Sequence, residues 1–190
     1  MIDVRATRPP VLVTERLLLR ELRLADAPAV AAGAGDERVA RYLIEVPSPY
    51  PVALARRWIT GRIAWWELGR GVTLAIARRE APDALLGTVS LRRNTRDRRA
   101  ELGYWLAAPA WGRGYATEAV VAAVGFGFRQ LALARIYAQV ILGNDASMRV
   151  LAKLGMMNEG TKRRHIRKGR RLHDVAFYGL LREEWSRGPA

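Results

Sequence analysis

Pro109-Ala110-Trp111-Gly112-Arg113-Gly114-Tyr115-Ala116-Thr117-Glu118-Ala119 is the stretch that decides how this chain is read. Before it, residues 100–107 have the composition of a β-strand, and after it residues 117–131 are apolar at helical spacing. A strand that runs through Gly-x-Gly into a helix is an anion-binding arrangement. The first helical turn has unpaired N–H groups, and its dipole favours negative charge there. Glycine lets the backbone approach a phosphate with no Cβ in the way, and Arg113 can add a charged contact. The stretch lacks the Lys-Ser/Thr of a Walker loop and the third glycine of the dinucleotide fingerprint. On its own it reads first as a plain glycine turn.

Working outward, the pattern predicts alternating elements. Residues 16–22 read as a first strand, with Asp26 placed to cap a helix over 27–32 and Asp36 to cap another through Tyr42. The prolines of 46–51 exclude helix there; apolar positions Leu54, Trp58, Ile63 and Trp66 then follow helical spacing up to Gly69. Strands are predicted at 72–77 and 85–92 around a Pro82-Asp83 turn, and at 100–107 after a charged loop. Past the glycine segment and its helix come a strand at 135–142, a helix at 145–154 stopped by Gly155, and two strands, 157–166 and 172–181. The last two flank the basic turn 167–171. The result is a mixed α/β sheet in one domain, 11–186, with residues 1–10 and 187–190 as loose ends.

Composition limits the partners. No cysteine and two histidines, His165 and His173, argue against disulfides, thiolate chemistry and a histidine-rich metal site. The net charge of +14 favours polyanions, phosphate-bearing cofactors and RNA alike. Of the 32 basic residues 29 are arginine, a ratio that a GC-rich genome also produces. The longest apolar run, 119–128, is about ten residues against the roughly 20 that span a bilayer. With no secretory signal at the start, a soluble cytoplasmic protein is expected.

Four motifs occur in order: Thr14-Glu15-Arg16-Leu17-x-Leu19-Arg20, Glu101-Leu102-Gly103-Tyr104-Trp105-Leu106, the glycine segment, and Asn144-x-x-Ser147-x-x-Val150-Leu151-x-Lys153-Leu154-Gly155. Together, over residues 12–185, they resemble the GCN5-related N-acetyltransferases (GNAT), most of all the RimJ/RimL-like branch that acetylates ribosomal-protein N-termini. The resemblance implies a GNAT-type mixed, mostly antiparallel sheet flanked by helices and splayed between its fourth and fifth strands. It implies acetyl-CoA as donor, its pantetheine arm pairing with the backbone of Trp105, Leu106 and Ala107. The pyrophosphate is expected over the amides of Gly112, Arg113, Gly114, Tyr115, Ala116 and Thr117, and Asn144 is expected to bond the pantetheine arm. Trp111 stands where the family often has glutamine or arginine, a departure shared with the branch.

An amine that attacks a thioester must lose a proton, and the departing thiolate must gain one. Glu101 is the candidate base, through water; the alternative is a pair with Arg96, Arg98 or Arg99. Ser147 is the candidate acid, because the superfamily's tyrosine position holds Leu151, and a plain helix-surface serine is the alternative. Asn144 or Asp145 also suits a helix cap. Alternation along the strand turns Tyr104 away from Glu101, toward core packing. Tyr115 can cover the cofactor, and Lys153 reads as solvated surface. Asp174 is expected to pair with an arginine, the alternative being to face the acceptor groove, and Trp58, Trp65 and Trp66 to be core, the alternative being to wall the acceptor pocket.

The acceptor is expected to be a peptide or protein α-amine attacking directly in a ternary complex. A polyamine or aminoglycoside is the runner-up. A different class, a non-catalytic ribosome- or nucleic-acid-binding module, rests on the charge runs 92–99 and 162–171, and ribosome association is also compatible with catalysis. Monomer and homodimer both stay open.

Overall fold

The computed structural model describes residues 8–187; most of the segment 1–10 and the end of 187–190, both expected to be loose, lie outside the described residues. Thirteen elements follow: β1 Leu12–Val13, β2 Leu17–Glu21, α1 Ala27–Gly35, α2 Glu37–Ala40, α3 Val52–Glu67, β3 Gly71–Arg78, β4 Ala81–Asn94, β5 Arg99–Leu106, α4 Tyr115–Arg129, β6 Arg135–Ile141, α5 Asp145–Lys153, β7 Met157–Lys168 and β8 Arg171–Leu181. The strands form one sheet in the order β1-β2-β3-β4-β5-β6-β8-β7. Every pairing is antiparallel except β5 with β6.

Apolar patterning explains the layers. β3 is buried along nearly its whole length, as its unbroken apolar run requires of a strand covered on both faces. On one face lies α4, whose buried residues include Val120, Val124, Phe126 and Phe128, joined by Leu151 and Leu154 at the end of α5. Each such large side chain contributes roughly 1.5–3 kcal/mol by leaving water. On the other face α1 and α3 pack through Val30, Ala55 and Ile59 against Ala75, with Trp58 and Trp105 alongside.

The sheet divides where β5 meets β6. Their register covers only Arg99–Arg135, Ala100–Ile136 and Glu101–Tyr137, whereas β6 stays paired with β8 through all seven of its residues. From Leu102 onward the two strands part. This is the splay expected between the fourth and fifth strands; the short β1, which the pattern did not reveal, moves their numbers up by one.

Several expected boundaries shift. Asp26 is not the cap of α1: a 3₁₀ turn over Leu24–Asp26 already makes it helical, and no cap bond forms. Its carboxylate instead takes both Nη atoms of buried Arg20, at 2.9 and 2.8 Å, and the Arg23 N–H at 2.8 Å. Asp36 does cap α2, accepting the Arg38 N–H. The β3–β4 turn falls at Arg79-Glu80 rather than Pro82-Asp83, because β4 begins at Ala81 and absorbs the difference as an irregularity in register near Ala77.

Candidate active site

The glycine segment forms an exposed loop that enters α4 at Tyr115, two residues earlier than expected. Gly112 and Gly114 adopt φ of +74° and +79°, left-handed conformations that cost other residues roughly 1–2 kcal/mol. The first helical bond is Glu118 N–H to the Gly114 carbonyl at 3.1 Å. Ahead of it, the N–H groups of Tyr115, Ala116 and Thr117 occupy the unpaired first turn. This is a concave row of donors at the positive end of a 15-residue helix.

A brace fixes the row. Glu118 Oε1 accepts from Thr14 Oγ1 at 2.6 Å and from the Arg16 N–H at 2.9 Å, and its Oε2 accepts from Arg16 Nε at 2.7 Å. Arg16 Nη1 donates to the Arg113 carbonyl at 3.0 Å, and its guanidinium lies 4.9 Å from the centre of the Tyr115 ring. Burial opposes ionisation of Glu118, but these hydrogen bonds outweigh it and hold the carboxyl below its ordinary value. The motif at 14–20 thus acts locally, locking the loop onto the helix.

Next to the loop, β5 turns peptide groups into the splay. The Ala107 N–H bonds the Leu86 carbonyl at 2.8 Å, so antiparallel alternation directs the N–H and C=O of Leu106, and of Tyr104 before it, away from β4. This narrows the expected trio. The peptide groups of Trp105 face Thr88, and the Ala107 carbonyl accepts the Ala110 N–H, so Leu106 alone of the three opens onto the gap. Trp111 covers it, its indole Nε1 donating to the Leu106 carbonyl at 2.8 Å.

The two faces of β5 carry different chemistry. Glu101 shares a face with Trp105 and the α1–α3 layer. Its arginine partner is Arg92, directly opposite on β4, and not Arg96, Arg98 or Arg99. Gln139 Nε2 donates to the other carboxylate oxygen at 3.2 Å. Neighbouring Tyr137 is pushed up by burial and by the Glu101 charge.

On the opposite face, Tyr104 reaches over the gap to α5. Its hydroxyl lies 2.8 Å from Ser147 Oγ and 3.2 Å from the Ser147 carbonyl. Burial pushes the Tyr104 phenol up to about 12, so it keeps its proton near neutrality. Tyr104 is the residue that sequence reasoning set aside as packing. The signal available was its alternation, which correctly placed it opposite Glu101 and so toward α5. Asn144 caps α5, Oδ1 accepting the Ser147 N–H at 3.2 Å. Leu151 is fully buried.

Comparison with known proteins agrees with this geometry. Residues 16–157 match the family model described as an acetyltransferase (GNAT) domain. An uncharacterized N-acetyltransferase of Bacillus subtilis, YoaA, is 32% identical over 174 residues, covering 91% of this chain and 97% of that protein. This chain belongs to the GNAT acetyltransferase family. Two solved structures resemble the GNAT domain closely in fold. One, a GNAT-family acetyltransferase from Bacillus anthracis, has a TM-score of 0.81 at 26% identity over 92% of this chain and all of its own. The other, RimL, a ribosomal α-N-protein acetyltransferase in complex with coenzyme A, scores 0.81 at 19% identity over 92% of this chain and 99% of its own.

The GNAT chain is therefore an N-acetyltransferase with acetyl-CoA as donor, and its residues fit that molecule. The donor row suits a diphosphate, and the Leu106 N–H, which faces the gap, suits the carbonyl of an amide-bearing arm. When bound, acetyl-CoA supplies an activated acetyl group as a thioester. The remaining candidates lie elsewhere. Trp66 is core, as expected, whereas Trp58 and Trp65 are only half-buried and flank Arg62; Lys153 is exposed. Asp174 accepts the Arg164 N–H at 2.7 Å rather than an arginine side chain, because the irregular β7–β8 register brings that amide to it first. His165 stacks edge-on against Phe177. No helix among the described residues is long and apolar enough to cross a membrane.

Proposed function

We propose that this acetyltransferase acts on the α-amine of a peptide or protein N-terminus, with Glu101 receiving a proton on one face of the splay and Ser147 delivering one on the other. The observation that carries the reading is the placement of these groups on opposite sides of one opening in the sheet. Glu101 stands on the α1–α3 face, held by Arg92 and Gln139. Ser147 stands on the α4–α5 face, hydrogen-bonded to a tyrosine that keeps its proton. Ser147 can give its proton to a departing sulfur and draw another from Tyr104, while Glu101 takes one from the amine through water. General acid–base contributions of this kind are worth roughly 10²–10⁴ in rate.

A peptide acceptor is supported by the surface on the Glu101 side. A cavity of about 620 Å³ lies between the α2–α3 segment and the β7–β8 turn, lined by Ile44, Val46, Pro47, Leu54 and Lys168 among others. That volume suits a few residues of extended chain. Lys168 Nζ donates to the Leu43 and Val46 carbonyls at 2.6 and 3.0 Å and ties the hairpin turn to the loop. The test is thiol release from acetyl-CoA with peptides beginning Ala, Ser or Met, against spermidine and an aminoglycoside. Peptides should turn over with the higher kcat/KM; turnover confined to the polycations overturns the assignment.

A further inference from the structure

The Glu101 face holds a second arginine whose hydrogen-bonding capacity is unspent. Arg62, on α3, is flanked by two tryptophans, its guanidinium carbon 5.4 Å from the Trp58 ring centre and 3.7 Å from that of Trp65. The side chain is only 18% exposed. Its sole carboxylate neighbour among the described residues is Glu45, at 3.9 Å and 80% exposed, and no hydrogen bond reaches the guanidinium there. A guanidinium has five N–H donors in a rigid fork. None of those donors is among the buried groups left without a partner, so solvent serves them in the free protein and a fixed acceptor can take its place.

The surrounding charge is mixed: Glu37 and Glu45 line the adjoining cavity together with Arg41 and Lys168, and Glu45 opposes the effect of Arg92 on Arg62. Burial weakens the hold of Arg62 on its proton, and the field of Arg92 acts in the same direction, so the two cations share one neighbourhood. Arg92 is already committed to Glu101. Lys168, at the edge of the adjoining cavity, bonds only carbonyls, which leave its charge uncancelled. Stacking on two indoles holds the Arg62 fork in place before anything binds. A carboxylate that displaces Glu45 finds a fixed two-pronged partner here.

Building on the peptide reading above, we infer that Arg62 is a specificity-determining residue that selects acceptors carrying a carboxylate close to the reactive amine, in the first instance acidic peptide N-termini. Glu45 occupies the position from its exposed side and gives way to the incoming carboxylate.

The test uses matched peptides beginning Ser-Glu-Glu, Ser-Gln-Gln and Ser-Lys-Lys, with serine and serinamide as a small-molecule pair, on the full chain. In the wild type, kcat/KM should favour Glu over Gln by about ten-fold or more, as a hydrogen-bonded charge pair supplies, with Lys poorest. Arg62→Gln should bring the Glu/Gln ratio close to one through KM, with acetyl-CoA affinity unchanged as proof of folding, and Arg62→Lys should restore part of it. Equal ratios in wild type and Arg62→Gln overturn the inference while leaving the peptide reading intact. Turnover of the small pair alone ends the peptide reading, and the serine/serinamide ratio with and without Arg62 then decides the inference. Preference for spermidine over every carboxylate-bearing acceptor overturns both.

Discussion

Ser147 and Tyr104 come from positions 43 residues apart and meet through the Tyr104 hydroxyl, which lies within hydrogen-bond distance of both Ser147 Oγ and the Ser147 carbonyl. If they act as a relay, Ser147→Ala should lower kcat by on the order of 10²-fold and Tyr104→Phe by less, with acetyl-CoA affinity unchanged, measured by thiol release and calorimetry. The phenol also has a stability signature. Its folded value, about 12, lies above the ordinary 10, so the folded chain holds this proton more tightly than the unfolded one. The stabilisation is complete below pH 10 and is lost as pH rises toward 12. Tyr104→Phe should flatten that alkaline loss in urea titrations. Strand alternation made half of this legible, since it separated Glu101 from Tyr104. It could not show that Ser147 waits opposite, because α5 reaches β5 only through the tertiary fold. The arginine that holds Glu101 was misread for a similar reason: sequence proximity pointed to Arg96, Arg98 and Arg99, whereas cross-strand register selects Arg92.

At the scale of elements, the turn that leads into β2 is joined to α4 by Thr14, Arg16 and Glu118, partners more than a hundred residues apart. The start of α4 was legible from its glycines to within two residues. The brace was visible only as a motif of unassigned role, since a turn-to-helix contact of that span leaves no periodic trace. Arg16→Ala should weaken acetyl-CoA binding by freeing the loop, and a calorimetric titration measures the loss. The Glu118 carboxyl, held below its ordinary 4.5, contributes stability above that pH and loses it as pH falls through the folded value. Glu118→Gln should therefore reduce the difference in urea midpoint between about pH 7 and about pH 3. Unchanged acid sensitivity would show that the brace carries little of the fold.

For the molecule as a whole, element order and the mixed sheet followed from hydrophobic periodicity, whereas the flanking helices and the break in the sheet followed from family resemblance alone. No residue pattern marks where two parallel strands separate. The two-residue β1 was too short to register, and the β3–β4 turn was misplaced because Pro82-Asp83 imitates turn chemistry inside a strand. The charge of +14 has a kinetic consequence: kcat/KM for acetyl-CoA should fall as salt shortens the Debye length below about 10 Å, with kcat little altered. A salt-independent kcat/KM would mean that the field does not steer the donor.

That β5 and β6 touch through three residue pairs sets how a long flexible guest gets in. No ladder has to be unzipped and no backbone partner exchanged, because the seam is already open above Glu101. Admission then demands no local melting, and hydrogen exchange of Tyr104 and Leu106 amides, fast in the free protein, should slow once the guest is seated.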